Sequence, residues 1–149
     1  MSKVILLVED NATDEKLTLL ALRACVVAND VVVARDGAAA LDYLFRKGKY
    51  ADPSASPSPT VVLLDLNLPK VDGHEVLRRL RADERTKLLP VVILTASKEE
   101  EDIVRGYQLG ANAYVRKPVE FVEFVEAAKT LGVFWLLLNE MAPVRAEEP

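Results

Sequence analysis

Five short apolar runs punctuate the chain, at residues 3–8 (KVILLV), 30–34 (DVVVA), 60–65 (TVVLLD), 90–95 (PVVILT) and 112–115 (NAYV). Val and Ile are frequent in them and polar residues do not alternate with apolar ones, which predicts strands buried on both faces. Between the runs the apolar spacing lengthens to three and four, the period of an amphipathic helix. Residues 13–27 place Leu17, Leu20, Ala21, Ala24 and Val27 on one face. Residues 38–46 carry Leu41, Leu44 and Phe45, and residues 72–82 carry Val76, Leu77 and Leu80. Asp72 with Glu75 has the spacing of a capping box, as does Ser97 with Glu100 before a helix over 98–109; Gly110 supplies the stop. A last helix begins near Val119. Strands alternating with helices predict a single α/β domain, a parallel sheet covered on both faces through right-handed crossovers. The one shift in composition, residues 47–60 (KGKYADPSASPSPT), is expected to be a mobile surface loop and not a linker, because neither side of it holds a complete core.

The pattern also says where chemistry collects. In an open parallel sheet, ligands bind beyond the carboxyl ends of the strands. The first run ends in Glu9-Asp10, the third in Asp65 with Asn67 following, and the fourth in Thr95 with Ser97; Lys117-Pro118 follows the fifth. Each residue alone reads as a helix cap, a turn or a surface lysine. Together they read differently. Three carboxylates at adjacent strand ends would repel one another and raise a pKa, and a bound divalent cation accounts for them. An all-oxygen set suits Mg²⁺. Asp65, held at the end of a buried strand, is then placed to act as a nucleophile on phosphorus, with Lys117 and the Thr95 hydroxyl neutralising charge.

Composition narrows the alternatives. The net charge of −4 over 149 residues gives no broad basic field, so nucleic acid and anionic membrane are not expected partners. Arg78, Arg79 and Arg81 are expected to form a solvated helix face. The single histidine, His74, is expected to be exposed; the single cysteine, Cys25, is expected to be a small core residue in a reducing cytosol. Neither leaves a zinc site. No Gly-rich phosphate loop follows any strand. The N-terminal apolar run is too short for a signal peptide, and no run is long enough to span a membrane, so a cytoplasmic protein is expected.

The pieces VED (residues 8–10), LLDLNLPKVDG (63–73), VVILTAS (91–97) and GANAYVRKP (110–118) closely resemble, in this order, the receiver domain of two-component response regulators. The resemblance covers the chain from about Lys3 to the final helix. It implies a flavodoxin-like, doubly wound five-stranded parallel sheet of order 2-1-3-4-5, with a core over about residues 3–130 and an extended helix to about 141. It further implies Asp65 as phospho-acceptor and Mg²⁺ held by Asp10, Asp65 and the Asn67 backbone carbonyl, with Glu9 acting through water. Thr95 and Lys117 would sense the phosphoryl group, Tyr114 would move with Thr95, and the Lys117–Pro118 bond would be cis. Stretches such as ARDGAAALDYLFRKGKYAD and the Trp-containing last helix look like the stand-alone regulators that partner bacterial phytochromes, which implies a histidine kinase of the phytochrome type as phosphoryl donor. The competing enzyme reading is a phosphatase of the haloacid dehalogenase type. It uses the same ingredients but places its nucleophile on the first strand, with a second Asp two positions on.

The final helix carries more apolar surface than one sheet face needs. Phe121, Phe124, Ala128, Leu131, Trp135 and Leu138 follow a three-four spacing, while Val122, Val125, Phe134, Leu137 and Met141 lie beyond that stripe. The extra residues either fold back onto their own domain or bury against a partner. A patch of this size favours the partner, which predicts a homodimer with Phe121, Phe124, Trp135 and Leu138 in its interface.

Overall fold

The computed structural model describes residues 3–24, 29–52, 54 and 56–143. Strands β1 (Lys3–Val8), β2 (Asn29–Ala34), β3 (Val61–Leu64), β4 (Val91–Thr95) and β5 (Ala113–Arg116) alternate with helices α1 (Ala12–Arg23), α2 (Gly37–Leu44), α3 (Gly73–Ala82), α4 (Glu100–Gln108) and α5 (Phe121–Val133). All strand pairs are parallel, in the order β2-β1-β3-β4-β5. The chain winds one way from β1 to β2 and the other way from β3 to β5, which opens a crevice at the carboxyl ends of β1 and β3.

Period-two alternation distributes the strands between two cores. Leu6, Val8, Val62, Leu64 and Ile93 face α2 and α3, where they meet Ala40, Leu41, Tyr43, Val76, Leu77 and Leu80. Ile5, Leu7, Leu63 and Val92 face the opposite side and pack with Leu22, Trp135 and Leu136. Helix α1 buries Thr18, Ala21 and Leu22, whereas Leu20, expected to face inward, is exposed. Cys25 and Val27 lie outside the described residues.

The end of the chain departs most from expectation. After Val133 the helix loosens into a π-helical turn, Phe134–Leu138. The change of winding brings Trp135 and Leu136 inward together, Leu136 fully buried, and leaves Leu138 exposed. Lys3 Nζ donates to the Leu136 carbonyl, tying this turn to the start of β1. Trp135 and Phe124, expected in a dimer interface, are instead buried in their own domain. Phe121 and Leu138, also expected in the interface, are exposed.

Further corrections have local causes. His74 is buried at the start of α3, its Nε2 3.4 Å from the Asp102 carbonyl oxygen. Arg81 does not join the solvated face, because its guanidinium turns inward onto loop carbonyls. Asp72 caps α3 as expected, accepting from the Glu75 N–H at 2.9 Å. Glu75 itself turns to Arg78 and Arg79. Ser97 does not cap α4; its hydroxyl donates to Asp102 Oδ2 at 2.5 Å. Gly110, at φ +102°, closes α4 with N–H bonds from Gly110 to the Tyr107 carbonyl and from Ala111 to the Gly106 carbonyl. Described residues of the loop before β3 are tied down: Ser56 is buried and donates to the Tyr50 and Asp52 carbonyls, and the Tyr43 hydroxyl donates to the Pro57 carbonyl at 2.6 Å. The Lys117–Pro118 bond is trans, contrary to expectation. Trans is the lower-energy form by about 0.5–1 kcal/mol, and the Lys117 side chain reaches the rim from it.

Candidate functional site

Strand β3 is buried along its whole length, and Asp65 is the residue that follows it. Its N–H donates to the Val8 carbonyl at 3.0 Å, prolonging the β1–β3 ladder by one step. Gly73 fixes the other side. A Cβ there would lie 2.3 Å from the Asp65 carbonyl oxygen and 2.7 Å from the Leu66 Cα, so only glycine lets the start of α3 press against this backbone. The Asp65 side chain is thus held rigidly at the crevice, and it is buried.

Every oxygen of that carboxylate is engaged. Oδ1 accepts from the Thr95 hydroxyl at 2.8 Å and from the Asn67 N–H at 3.2 Å; Oδ2 accepts from Lys117 Nζ at 2.8 Å. Thr95 ends β4, and the Lys117 N–H donates to the Thr95 carbonyl at 2.7 Å, so the β4–β5 register delivers the lysine to the site. The ammonium also meets Glu9 Oε1 at 2.5 Å and Asp14 Oδ2 at 2.8 Å. Glu9 is buried at the end of β1, and Asp10 beside it is exposed.

Burial and charge work against each other here. Burial pushes Glu9 up to about 7, against the pull of Lys117 and with the push of Asp65. Burial also acts to raise Asp65, but hydrogen bonds from Lys117, Glu9 and Thr95 outweigh it and leave Asp65 below its ordinary value. Burial disfavours the charged form of Lys117; its bonds to Asp14, Asp65 and Glu9 win, and its pKa stands above the ordinary lysine value. The site therefore keeps a charged ammonium beside an ionised Asp65.

The residues singled out by sequence converge: Glu9, Asp10, Asp65, Thr95 and Lys117 share one rim, with Asn67 contributing its backbone N–H. Tyr114 stands one step away, its hydroxyl donating to the Ser97 carbonyl at 3.0 Å. Asp14 was not anticipated. It lies in the first turn of α1, the helix whose N-terminus sits at the rim, and an acid at that place is the signal that points to it. Carboxylate oxygens of Glu9, Asp10 and Asp65 lie within 4.8 Å of one another. A compact, purely oxygen donor set fits a hard divalent cation.

Known proteins resemble this chain in sequence and in fold. The family model described as response regulator receiver domain matches residues 5–129. Response regulator Rcp1 of Synechocystis sp. is 39% identical over 134 residues, 90% of this chain and 89% of Rcp1. The structure of the phosphorylated cyanobacterial phytochrome response regulator RcpA superposes with a TM-score of 0.91 at 39% identity, covering 96% of this chain and all of that one. The bacteriophytochrome response regulator AtBRR is 56% identical, with a TM-score of 0.71 over 94% of this chain and 99% of its own. A Mn²⁺-bound form of Rcp1 has also been solved, in keeping with divalent-metal binding by receiver domains. Matched over most of its length, the chain belongs to the response regulator receiver family.

Proposed function

We propose that this protein takes a phosphoryl group from a histidine kinase onto Asp65, with Mg²⁺, and relays the signal by a change of conformation. The observation that carries this reading is the double engagement of Asp65, with Thr95 on one oxygen, Lys117 on the other, and the Glu9–Asp10 pair alongside. An Asp65 oxygen forms a bond to phosphorus as the bond from phosphorus to the donor's imidazole nitrogen breaks; that nitrogen keeps the electron pair and takes up a proton. Lys117 and the Thr95 hydroxyl then bind phosphoryl oxygens in place of Asp65. Asp10, Asp65 and the Asn67 carbonyl would hold Mg²⁺, with Glu9 acting through water, and the cation would neutralise charge on the transferred group.

Beyond its own phosphorylation and dephosphorylation we assign it no catalytic turnover. The similarity to Rcp1, RcpA and AtBRR supports a phytochrome-type kinase as the donor, a stand-alone receiver of core 3–130 with a C-terminal extension, and a cytoplasmic setting. The haloacid dehalogenase alternative gains no support, since Asp65 follows β3 and not β1. Incubation with the phosphorylated kinase and Mg²⁺, followed by intact mass spectrometry, tests the reading. Wild type should carry one acid-labile phosphoryl group and Asp65→Asn none; label on the Asn variant, or label without divalent metal, would overturn it.

We also propose a homodimer through the exposed apolar side chains Phe121, Val122, Phe134, Leu137 and Leu138 along the last helix and its π-turn. Light scattering on wild type and on a Val122→Glu, Leu138→Glu variant decides: a dimer that becomes monomeric supports the interface, and a monomeric wild type removes it.

A further inference from the structure

The Lys117 ammonium has three N–H donors, and each has its own carboxylate: Glu9 at 2.5 Å, Asp14 at 2.8 Å and Asp65 at 2.8 Å. Two of these acids have a second duty. Glu9 and Asp65 belong to the oxygen cluster with Asp10, so their hold on the ammonium is shared with any cation bound there. Asp14 stands outside that cluster and is the one carboxylate of the three committed to Lys117 alone.

An acid in the first turn of a helix has a plainer explanation, the favourable end of the helix dipole. Glu15, its neighbour, fits that explanation, with its carboxylate paired to Arg35 at the surface. Asp14 does not. Its N–H donates to the N-cap Asn11 side chain at 2.9 Å and its carbonyl accepts the Thr18 hydroxyl at 2.8 Å, which fixes its backbone. From that fixed base its carboxylate reaches a buried ammonium delivered from the end of the edge strand β5.

We propose that Asp14 is a positioning residue for phosphoryl uptake: it tethers the Lys117 ammonium at the rim while that ammonium exchanges Asp65 for an oxygen of the incoming group. This rests on the reading of Asp65 as phospho-acceptor. Without Asp14, the ammonium divides itself between Glu9 and Asp65 alone. It then binds the nucleophilic carboxylate more tightly and has no independent anchor once Asp65 is modified. Uptake slows, while metal binding is unaffected.

The test uses the full chain with acetyl phosphate as donor, so that no kinase surface is involved, at saturating Mg²⁺. Wild type, Asp14→Ala, Asp14→Asn, Asp14→Glu and Asp65→Asn are compared for maximal rate of phosphorylation, Mg²⁺ affinity by calorimetry, and urea midpoint. Asp14→Ala and Asp14→Asn should lose about tenfold in maximal rate, a change of one decade in barrier terms, with Mg²⁺ affinity unchanged; Asp14→Glu, which restores the charge, should recover most of the rate. Should Asp14→Ala prove destabilised, the near-isosteric Asn variant carries the comparison. A rate at the wild-type level in Asp14→Asn, or a fall in Mg²⁺ affinity parallel to the fall in rate, overturns the proposal. Failure of wild type to label, or labelling of Asp65→Asn, overturns the phospho-acceptor reading instead, and this role with it.

Discussion

Arg81 offers a sharp test of the packing that positions the site. Its Nε donates to the Gly110 carbonyl at 2.9 Å, Nη1 to the Leu89 and Lys87 carbonyls at 2.7 and 3.0 Å, and Nη2 to Asn112 Oδ1 at 2.9 Å. The same Asn112 oxygen accepts the Val91 N–H at 2.8 Å. One guanidinium therefore ties the end of α3 to the loop entering β4 and to the turn between α4 and β5. Hydrogen bonds to a charged donor contribute roughly 1.5–3 kcal/mol each. Four such bonds would sum to more than a single side chain ever delivers, because the freed carbonyls lie near the surface and recruit water. Arg81→Ala should accordingly cost about 2–4 kcal/mol. Arg81→Lys should recover less than half of that, since a single ammonium lacks the planar fork that spans these acceptors. Equilibrium urea unfolding followed by Trp135 fluorescence measures both, the sole tryptophan being buried in the opposite core. A loss below about 1 kcal/mol, the range of an exposed ion pair, or full rescue by lysine would refute the clamp.

Other perturbations report on different parts of the structure. Gly73→Ala forces a Cβ against the Asp65 carbonyl, so it should cost about 1–3 kcal/mol and slow phosphorylation; normal labelling kinetics would show that the contact does not position Asp65. Leu136→Ala should destabilise by about 2–5 kcal/mol in the same urea assay, whereas Leu138→Ala should change little; equal effects would contradict the π-turn. Glu75 is held at about 2 by hydrogen bonds from Arg78 and Arg79. Its native pKa lies below the unfolded value, so its modest stabilisation is complete above the ordinary glutamate range and is lost as pH falls toward 2. A carboxyl NMR titration with an ordinary midpoint for Glu75 would break that pairing.

Much of this was legible in the sequence, and the parts that were not share a cause. Five β-rich runs, their polar ends and the Asp72-Gly73 turn identify the strands, the rim and the carboxylate fixed at its centre because each depends on neighbours in the chain. Arg81 and His74 were misplaced because their partners, the carbonyls of Gly110 and Asp102, come from elements that only the fold brings near; Ser97 was misplaced for a local reason, its hydroxyl finding the Asp102 carboxylate five residues on in place of the helix N-terminus. A helical period likewise says which residues share a stripe but not where the winding changes. Had α5 continued with regular winding, Leu138 would extend the stripe of Phe124, Ala128 and Leu131; the π-turn puts Leu136 there instead.

The charge at the rim carries the same lesson one step further. Glu9, Asp14 and Asp65 hold Lys117, and Asp10 stands beside Glu9 and Asp65, so that four carboxyl groups meet one ammonium among the described residues. A structural ion-pair network evolves toward balance, because an uncompensated buried charge costs several kcal/mol. This one keeps its imbalance at an open strand end. It also keeps its one cation on the carboxylate best fixed by the backbone, Asp65, flanked by the Thr95 hydroxyl. A divalent cation relieves the excess, and a phosphoryl group then arrives at a carboxylate whose neighbours already present positive charge and a hydroxyl donor. An imbalance placed there is the sign of a site that is completed by what it binds.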